Sequence, residues 1–480
     1  MRAILYRNLH LLRHSRALPI VIALWLLPSA LAILMRAASR STATTAIDAC
    51  LMIPVATLAP TLMQETVRGD VEDGTDVTVH CSGIGAGPYL AGQILTVLAP
   101  AATAYPPIAL SAGIPGPGVM ADVSALSIAA LAGIAAVAAV GTITGSNGIA
   151  SILAGMAPPA IAIMLRRMAP NVPSWTVVMP ALAAAAISMA AITVAARHRH
   201  ANTLRPSAGR PQGTVTEPAP HEGAAMCGSD ITAVSVRNVT FGYSRHVTVL
   251  DHINLDIPQG QSLAILGSNG VGKTTLFRII TGMLRPDEGE AVIDADAVGD
   301  MRGVFMLADG DGLSSALTIR ENIVFRSMLF GTSGSPNRIE SGRMEQEPLV
   351  HAFGLADHLD DRVSELSSGM RRRAGIAAGM LFKPRLIMLD EPTNMVDPGT
   401  RDLLIEMIGQ LGEAGCTVLT ITHDLDYCWR TADRVIRLGH GTVTLDRRLD
   451  EFADYDAFKS SVDADGSPDT HHVDFGFGRS

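Results

Sequence analysis

The chain has 480 residues, a formal net charge of −9 and 17% charged residues. That length accommodates two or three domains, each able to bury a core, and the acidic balance excludes nucleic acid as the main partner. The cysteines (Cys50, Cys81, Cys227, Cys416 and Cys428) are scattered without a CxxC pair, so they offer neither a zinc site nor a disulfide framework. The charge is unevenly spread. Between Val77 and Arg197 the only charged residues are Asp122, Arg166 and Arg167, whereas from about residue 229 the density is that of a soluble protein. A soluble surface must be hydrated, so the first half reads as bilayer-embedded.

In chain order, residues 1–16 carry Arg2, Arg7, Arg13 and Arg16 among Ile4, Leu5, Leu9 and Leu12. Those apolar residues share one side of a helical wheel, which predicts a short helix lying in the membrane interface. The following run, Ala17 to Met35, has the length of a span rather than of a signal-peptide core. Further apolar segments at about 43–63, 88–111, 121–143, 146–165 and 174–196 complete an all-α, six-helix transmembrane domain over 1–200. Prolines inside several of them predict kinks. The basic N-terminus and Arg197–His200 place both ends of this domain in the cytoplasm, while Arg166 and Arg167 fall on the opposite side, against that rule. Asp48 lies near the start of its span and reads as interfacial. Residues 201–228, rich in proline, glycine, alanine and threonine, read as a linker. The polar stretch 462–480 reads as a disordered tail whose His471 and His472 are solvated.

The soluble half, 229–461, contains the strand–loop–helix pattern 263–275. Its core is Gly267, Ser268, Asn269, Gly270, Val271, Gly272, Lys273, Thr274 and Thr275, a P-loop in an α/β P-loop NTPase fold. The glycines let backbone N–H groups turn around a phosphate, and the helix starting at Lys273 presents its positive end to the same anion. Lys273 can reach the β/γ-phosphates and the Thr274 hydroxyl can ligate Mg²⁺. The bare pattern also arises by chance; the strand before it and the helix after it distinguish this one. A bound nucleoside triphosphate follows.

Further on, Leu386–Leu389 is a buried-strand run ending in Asp390 and Glu391. An Asp at a strand's C-terminal end can hold Mg²⁺, and Glu391 can polarise the attacking water. A second strand, Val418–Thr422, ends in His423 and Asp424, from where His423 can contact the γ-phosphate. Before the first of these strands, Ser367, Ser368, Gly369 and Met370 open a helix and form an anion-binding turn, without indicating which phosphate it serves.

In order, these motifs make residues 229–450 resemble the ATP-binding cassette (ABC) transporter family. The resemblance implies that Tyr243 stacks on the adenine of ATP, that Gly267–Thr275 is Walker A, that Asp390 and Glu391 are Walker B and the catalytic glutamate, that Asp397 is the D-loop aspartate and that His423 is the switch histidine. It also implies that Ser367–Met370 is the signature loop, closing over ATP held by a second copy or a homologous half-transporter. Three departures stand out. The signature reads LSSGM instead of LSGGQ, the D-loop reads Asn394, Met395, Val396, Asp397, and Asp309 occupies the expected Q-loop glutamine position. The stretch Glu65–Thr75 looks like the cytoplasmic segment after the second span of ABC-2-type permeases.

The expected protein is therefore a multi-pass half-transporter of the cytoplasmic membrane, with its N-terminus and ATPase domain cytoplasmic. It would use ATP and Mg²⁺ to export a hydrophobic or amphipathic substrate through the lipid bilayer. The competing class is a membrane-anchored ATPase that transmits force or signal to a partner without moving a solute.

Overall fold

Short, wholly apolar runs punctuated by glycine turns predict parallel strands covered on both faces, and the soluble half is built on them. The computed structural model describes residues 2–14, 70, 73–84, 88–89, 91–93, 95–96, 164, 204–205, 231–244, 247–308, 310–330 and 341–464. Apart from the start of the third and Met164 in the fifth, the six expected spans lie outside the described residues, as does the tail beyond Ala464. Among the described residues no helix is long and apolar enough to cross a membrane. The chain divides into two units, Met1–Ala201 with Gly310–Phe382, and Asn202–Asp309 with Lys383–Ser480. The segment 229–461 thus contributes to both.

The second unit holds strands β1 (Leu204–Arg205), β2 (Thr232–Phe241), β3 (Leu250–Pro258), β4 (Ser262–Leu266), β5 (Glu288–Asp294), β6 (Val304–Leu307), β7 (Leu386–Asp390), β8 (Thr417–Ile421), β9 (Arg434–Gly439) and β10 (Thr442–Arg448). One sheet has the order β1-β5-β2-β3 and the other β10-β9-β4-β8-β7-β6. The short β1 falls within the expected linker, where Leu204 and Arg205 pair in parallel with Ile293 and Asp294; a free strand edge templates such pairing. In the larger sheet all neighbours are parallel except β9 and β10. Every residue of β4, β7 and β8 is buried. Their register sets Ile421 opposite both Ile265 and Asp390, so the three C-terminal ends share one edge of the sheet. Ligands of open α/β sheets bind at that edge. At another face of this unit, Phe452 and Phe458 join Ala264, Leu266 and Val435 in a core, with Trp429 stacked on Phe458 at 5.5 Å. The helix Tyr455–Ala464 carries this packing past residue 461, the expected domain end.

In the first unit the helix Arg2–His14 packs against the helix Ile319–Phe330 through Ala3, Ile4, Val79, Phe325 and Leu329. Of the predicted stripe, Ile4 is buried, Leu5 is half-buried and Leu9 is exposed. Ala3, Ile4, Arg7, Asn8 and Leu11 are buried, whereas Leu9 is 68% exposed. The register turns because Arg7 finds a partner inside: its guanidinium pairs with Asp70 and lies over the Phe325 ring, 5.5 Å from the centroid. Asn8 donates to Gln93 Oε1 at 2.9 Å and to Thr96 Oγ1 at 3.0 Å, and Gln93 donates to Asp70 at 3.2 Å. Buried polar groups are tolerated when hydrogen-bonded in this way. Burial nevertheless pushes the Asp70 carboxyl above its ordinary range, outweighing Arg7 and the Tyr89 hydroxyl.

The same unit joins the turn at Asp73 to the loop after Asp309. Ser315 N–H donates to the Asp73 carboxylate at 2.8 Å, and Gly312 N–H donates to the Asp73 carbonyl at 3.0 Å. Arg326 donates to Gly312 O at 2.8 Å and to Thr78 Oγ1 at 3.2 Å. At Gly310 a Cβ would stand 2.8 Å from the Asp73 carbonyl oxygen, so this approach requires glycine.

Candidate functional site

Three strand ends at one sheet edge deliver the chemistry. From β4 the chain turns through Gly267, with φ 148°, where a Cβ would sit 2.6 Å from the Leu438 carbonyl oxygen. It enters the helix Lys273–Ile280 at Gly272, with φ 111° and Leu250 and Val249 pressed against it. Ser268, Asn269 and Gly270 are exposed and Val271 is half-buried, forming the open rim of the loop. The helix is held by Leu276, Phe277, Ile279 and Ile280, all buried, so its N-terminus is fixed relative to β4.

Lys273, Thr274, Asp390, Glu391 and His423 converge here. Lys273 Nζ donates to the carbonyls of Gly267 at 2.6 Å and Ser268 at 3.1 Å. Thr274 Oγ1 donates to Asp390 Oδ2 at 2.6 Å. His423 Nε2 lies 2.9 Å from Asn269 Oδ1, 3.1 Å from Glu391 Oε1 and 3.3 Å from Lys273 Nζ. Burial, then the charge on Lys273, hold the His423 pKa below its ordinary value, which favours the neutral ring. The two oxygens near Nε2 favour placing its proton there. Burial also lowers the Lys273 pKa, opposed by Glu391 and Asp390. Glu391 follows β7 in a left-handed conformation, φ 49°, with its N–H bonded to Ile421 O at 2.9 Å. Such strain concentrates at functional sites.

Tyr243 joins this group at its edge. Its hydroxyl is 3.1 Å from Thr275 Oγ1, its ring is 61% exposed and it meets Phe241 edge-on at 5.0 Å. A cavity of about 560 Å³ adjoins it, lined by Thr240, Phe241, Gly242, Ser244, Thr248 and Asp287. Asp397 stands at a helix start. It caps the helix Pro398–Glu413, accepting from Thr400 N–H at 3.0 Å and Thr400 Oγ1 at 2.7 Å. Replacing it by Ala is expected to cost about 1 kcal/mol of stability, whereas Asn, itself a good cap, costs little; the two thermal midpoints check this.

The signature residues belong to the other unit. Ser367 caps the helix Ser368–Met380, its hydroxyl accepting from Met370 N–H at 3.2 Å. Ser367 and Ser368 are exposed, and Gly369 and Met370 are half-buried. Asp309 lies outside the described residues. In the loop that follows, Asp311 lies 3.4 Å from Arg371 and 3.9 Å from Arg372 of the signature helix. Burial pushes its carboxyl pKa up, against both arginines. Sequence reasoning missed Asp311, and also the pairing of Arg401 with Asp424, because no local spacing announces a partner from a different element.

Residues 250–394 match the family model described as ABC transporter. Over 230 residues the chain is 31% identical to the doxorubicin resistance ATP-binding protein DrrA of Mycobacterium tuberculosis, covering 46% of this chain and 68% of that protein. The chain belongs to the ABC transporter ATP-binding family. As a cassette of this family it is an ATP hydrolase. It is also similar to the cobalt import ATP-binding protein CbiO of Rhodobacter capsulatus, 33% identical over 43% of this chain and 75% of that protein. Among solved structures, the cassette is similar to the dimeric post-hydrolysis state of MJ0796 bound to ADP and Pi. The TM-score is 0.40 at 26% identity, covering 45% of this chain and 98% of that one.

Proposed function

We propose that the chain is an ATP-driven half-transporter that exports a hydrophobic or amphipathic substrate, working as a dimer in the cytoplasmic membrane. The observation that carries this reading is the union, in one chain, of a cassette site with a stretch between Val77 and Arg197 whose only charges are Asp122, Arg166 and Arg167. Few intramembrane charges disfavour a highly charged cargo. Relatives named for drug resistance and for import share this cassette, so the ATP site does not set direction, and export is the expectation carried by the resemblance to fused permease–cassette chains.

The residues assign the steps. Lys273 rests on its own loop carbonyls and exchanges them for phosphate oxygens when ATP enters, a stronger, charge-assisted pairing. Thr274 Oγ1 and Asp390 Oδ2 form a hard-oxygen pair that fits a divalent cation, each able to ligate it directly or through water. Mg²⁺ bound there supplies neutralisation of charge on the phosphate oxygens. Glu391 orients and accepts a proton from the attacking water, while neutral His423 holds the γ-phosphate side through Nε2–H. Ser367 and Gly369 of the second copy complete the site.

Tyr243 binds adenine away from the reacting bonds. Tyr243→Ala is therefore expected to raise the KM for ATP about 10-fold, within the ~1–3 kcal/mol of base stacking, with kcat changed much less. Steady-state kinetics over an ATP series separate the two parameters. The function itself is tested in proteoliposomes by following amphipathic dyes, lipids and peptides across the bilayer with ATP present. Glu391-dependent movement of one class supports export. ATP hydrolysis with no movement of any class, alongside nucleotide-dependent capture of a partner, favours the force-transmitting alternative.

A further inference from the structure

The turn after β8 that carries His423 is gripped by a side chain from a helix elsewhere in the chain. Arg401 sits in the first turn of the helix Pro398–Glu413, its own N–H bonded to Asp397 O at 3.0 Å. Its guanidinium makes a bidentate pair with Asp424, Nε to Oδ2 at 2.7 Å and Nη2 to Oδ1 at 2.8 Å. Nη2 also reaches Asp426 Oδ2 at 2.7 Å. Asp424 is simultaneously the cap of the helix Leu425–Thr431, accepting from Tyr427 N–H at 2.9 Å, and its own N–H donates to Thr422 Oγ1 at 3.0 Å. Thr422 is fully buried and continues β8. His423, 47% exposed at its side chain, thus lies between two pinned neighbours.

We propose that Arg401 is a positioning residue for ATP hydrolysis: through Asp424 it fixes where His423 Nε2 stands relative to Glu391 and Lys273, and ties that position to the helix start capped by Asp397. The inference rests on the ATPase reading of the site above. A planar fork fits this task because two parallel hydrogen bonds fix orientation as well as distance, which a lysine's single ammonium does not. Arg401 and Asp424 are each only about a quarter exposed, and a bidentate pair networked with Asp426 is the kind of ion pair that also adds stability. Its distinct consequence falls on geometry at the histidine, where small misplacements are costly in rate, and the thermal midpoint separates the two effects.

The test uses the full chain in proteoliposomes, with Arg401→Met, Arg401→Lys, Asp424→Asn and the Arg401→Met/Asp424→Asn double variant. ATP turnover, binding of a fluorescent ATP analogue and thermal midpoint are measured for each. Positioning predicts that Arg401→Met lowers kcat roughly 10-fold while analogue affinity stays within about twofold. Arg401→Lys should recover part of the loss, and the double variant should fall no further than the worse single one, because both remove one coupling. Single variants with kcat within twofold of the parent overturn the proposal, as does a double variant whose losses multiply. A loss of kcat matched by equal loss of folded protein and analogue binding also overturns it, since that is structural damage only. Arg401→Lys and Asp424→Asn keep the test decisive if Arg401→Met does not fold. Glu391→Gln run in parallel separates the two claims: if it abolishes the parent's turnover, the ATPase reading stands whatever the Arg401 series shows.

Discussion

Glu391→Gln is expected to lower ATP turnover by about 10²–10⁴-fold, the range supplied by a positioned general base. The amide keeps the size and hydrogen-bonding reach of the carboxylate but cannot take a proton from water. Glu391 Oε1 stands 3.1 Å from His423 Nε2, and its backbone N–H is fixed to Ile421 O at 2.9 Å. The substitution leaves that anchor in place, so ATP affinity should remain near the parent's and the closed, ATP-loaded dimer should accumulate. Turnover and nucleotide occupancy, measured on one preparation, check both halves. Unchanged turnover would remove Glu391 from its assigned role.

Lys273→Ala should act earlier, on binding. Lys273 is 7% exposed and donates to Gly267 O and Ser268 O in the free loop. Removing it takes away the ammonium that meets the phosphates and strips those two carbonyls of a donor. Truncating one partner of a buried charged pair costs about 2–5 kcal/mol. ATP affinity should fall by the corresponding factor, at least tenfold since each 1.4 kcal/mol is a decade, and hydrolysis should become undetectable. Equilibrium binding of a fluorescent ATP analogue reads the first effect and phosphate release the second. The two variants fail differently: one binds without turning over, the other hardly binds.

The site was legible where chemistry is local to a strand end. Glycine spacing, the Lys273–Thr274 pair, the acidic pair Asp390–Glu391 and the polar end of β8 each announce themselves within a few residues, because a phosphate site needs backbone turns and carboxylates at fixed offsets. What the sequence left hidden depends on partners brought in by packing. Arg7 looked like an interfacial charge beside a leucine stripe; its partner Asp70 lies 63 residues away and turns the helix so that Leu9 faces outward. Asp424 lies 23 residues beyond Arg401 on a different element, and no periodicity links them. The linker showed no pattern, yet Leu204 and Arg205 pair with β5 because a free strand edge supplies hydrogen bonds that composition does not encode. The grouping of the expected signature residues Ser367–Met370 with Met1–Ala201 is a property of packing alone.

The loop that follows the expected Q-loop position has partners of its own. With Asp309 at the expected Q-loop position, Asp311 faces Arg371 and Arg372, and Gly310 and Gly312 meet the turn at Asp73 and Gly74. Within this unit the loop contacts both the helix Ser368–Met380 and the segment that follows the second expected span.

We propose that the P-loop site of one copy is completed by the signature loop of another. ATP turnover per chain, measured across fractions whose oligomeric state is fixed by light scattering, tests this most directly. Turnover should be confined to the dimer, be nearly absent from the monomer, and return to the monomer fraction on reassociation. Full turnover in a strictly monomeric fraction would contradict it.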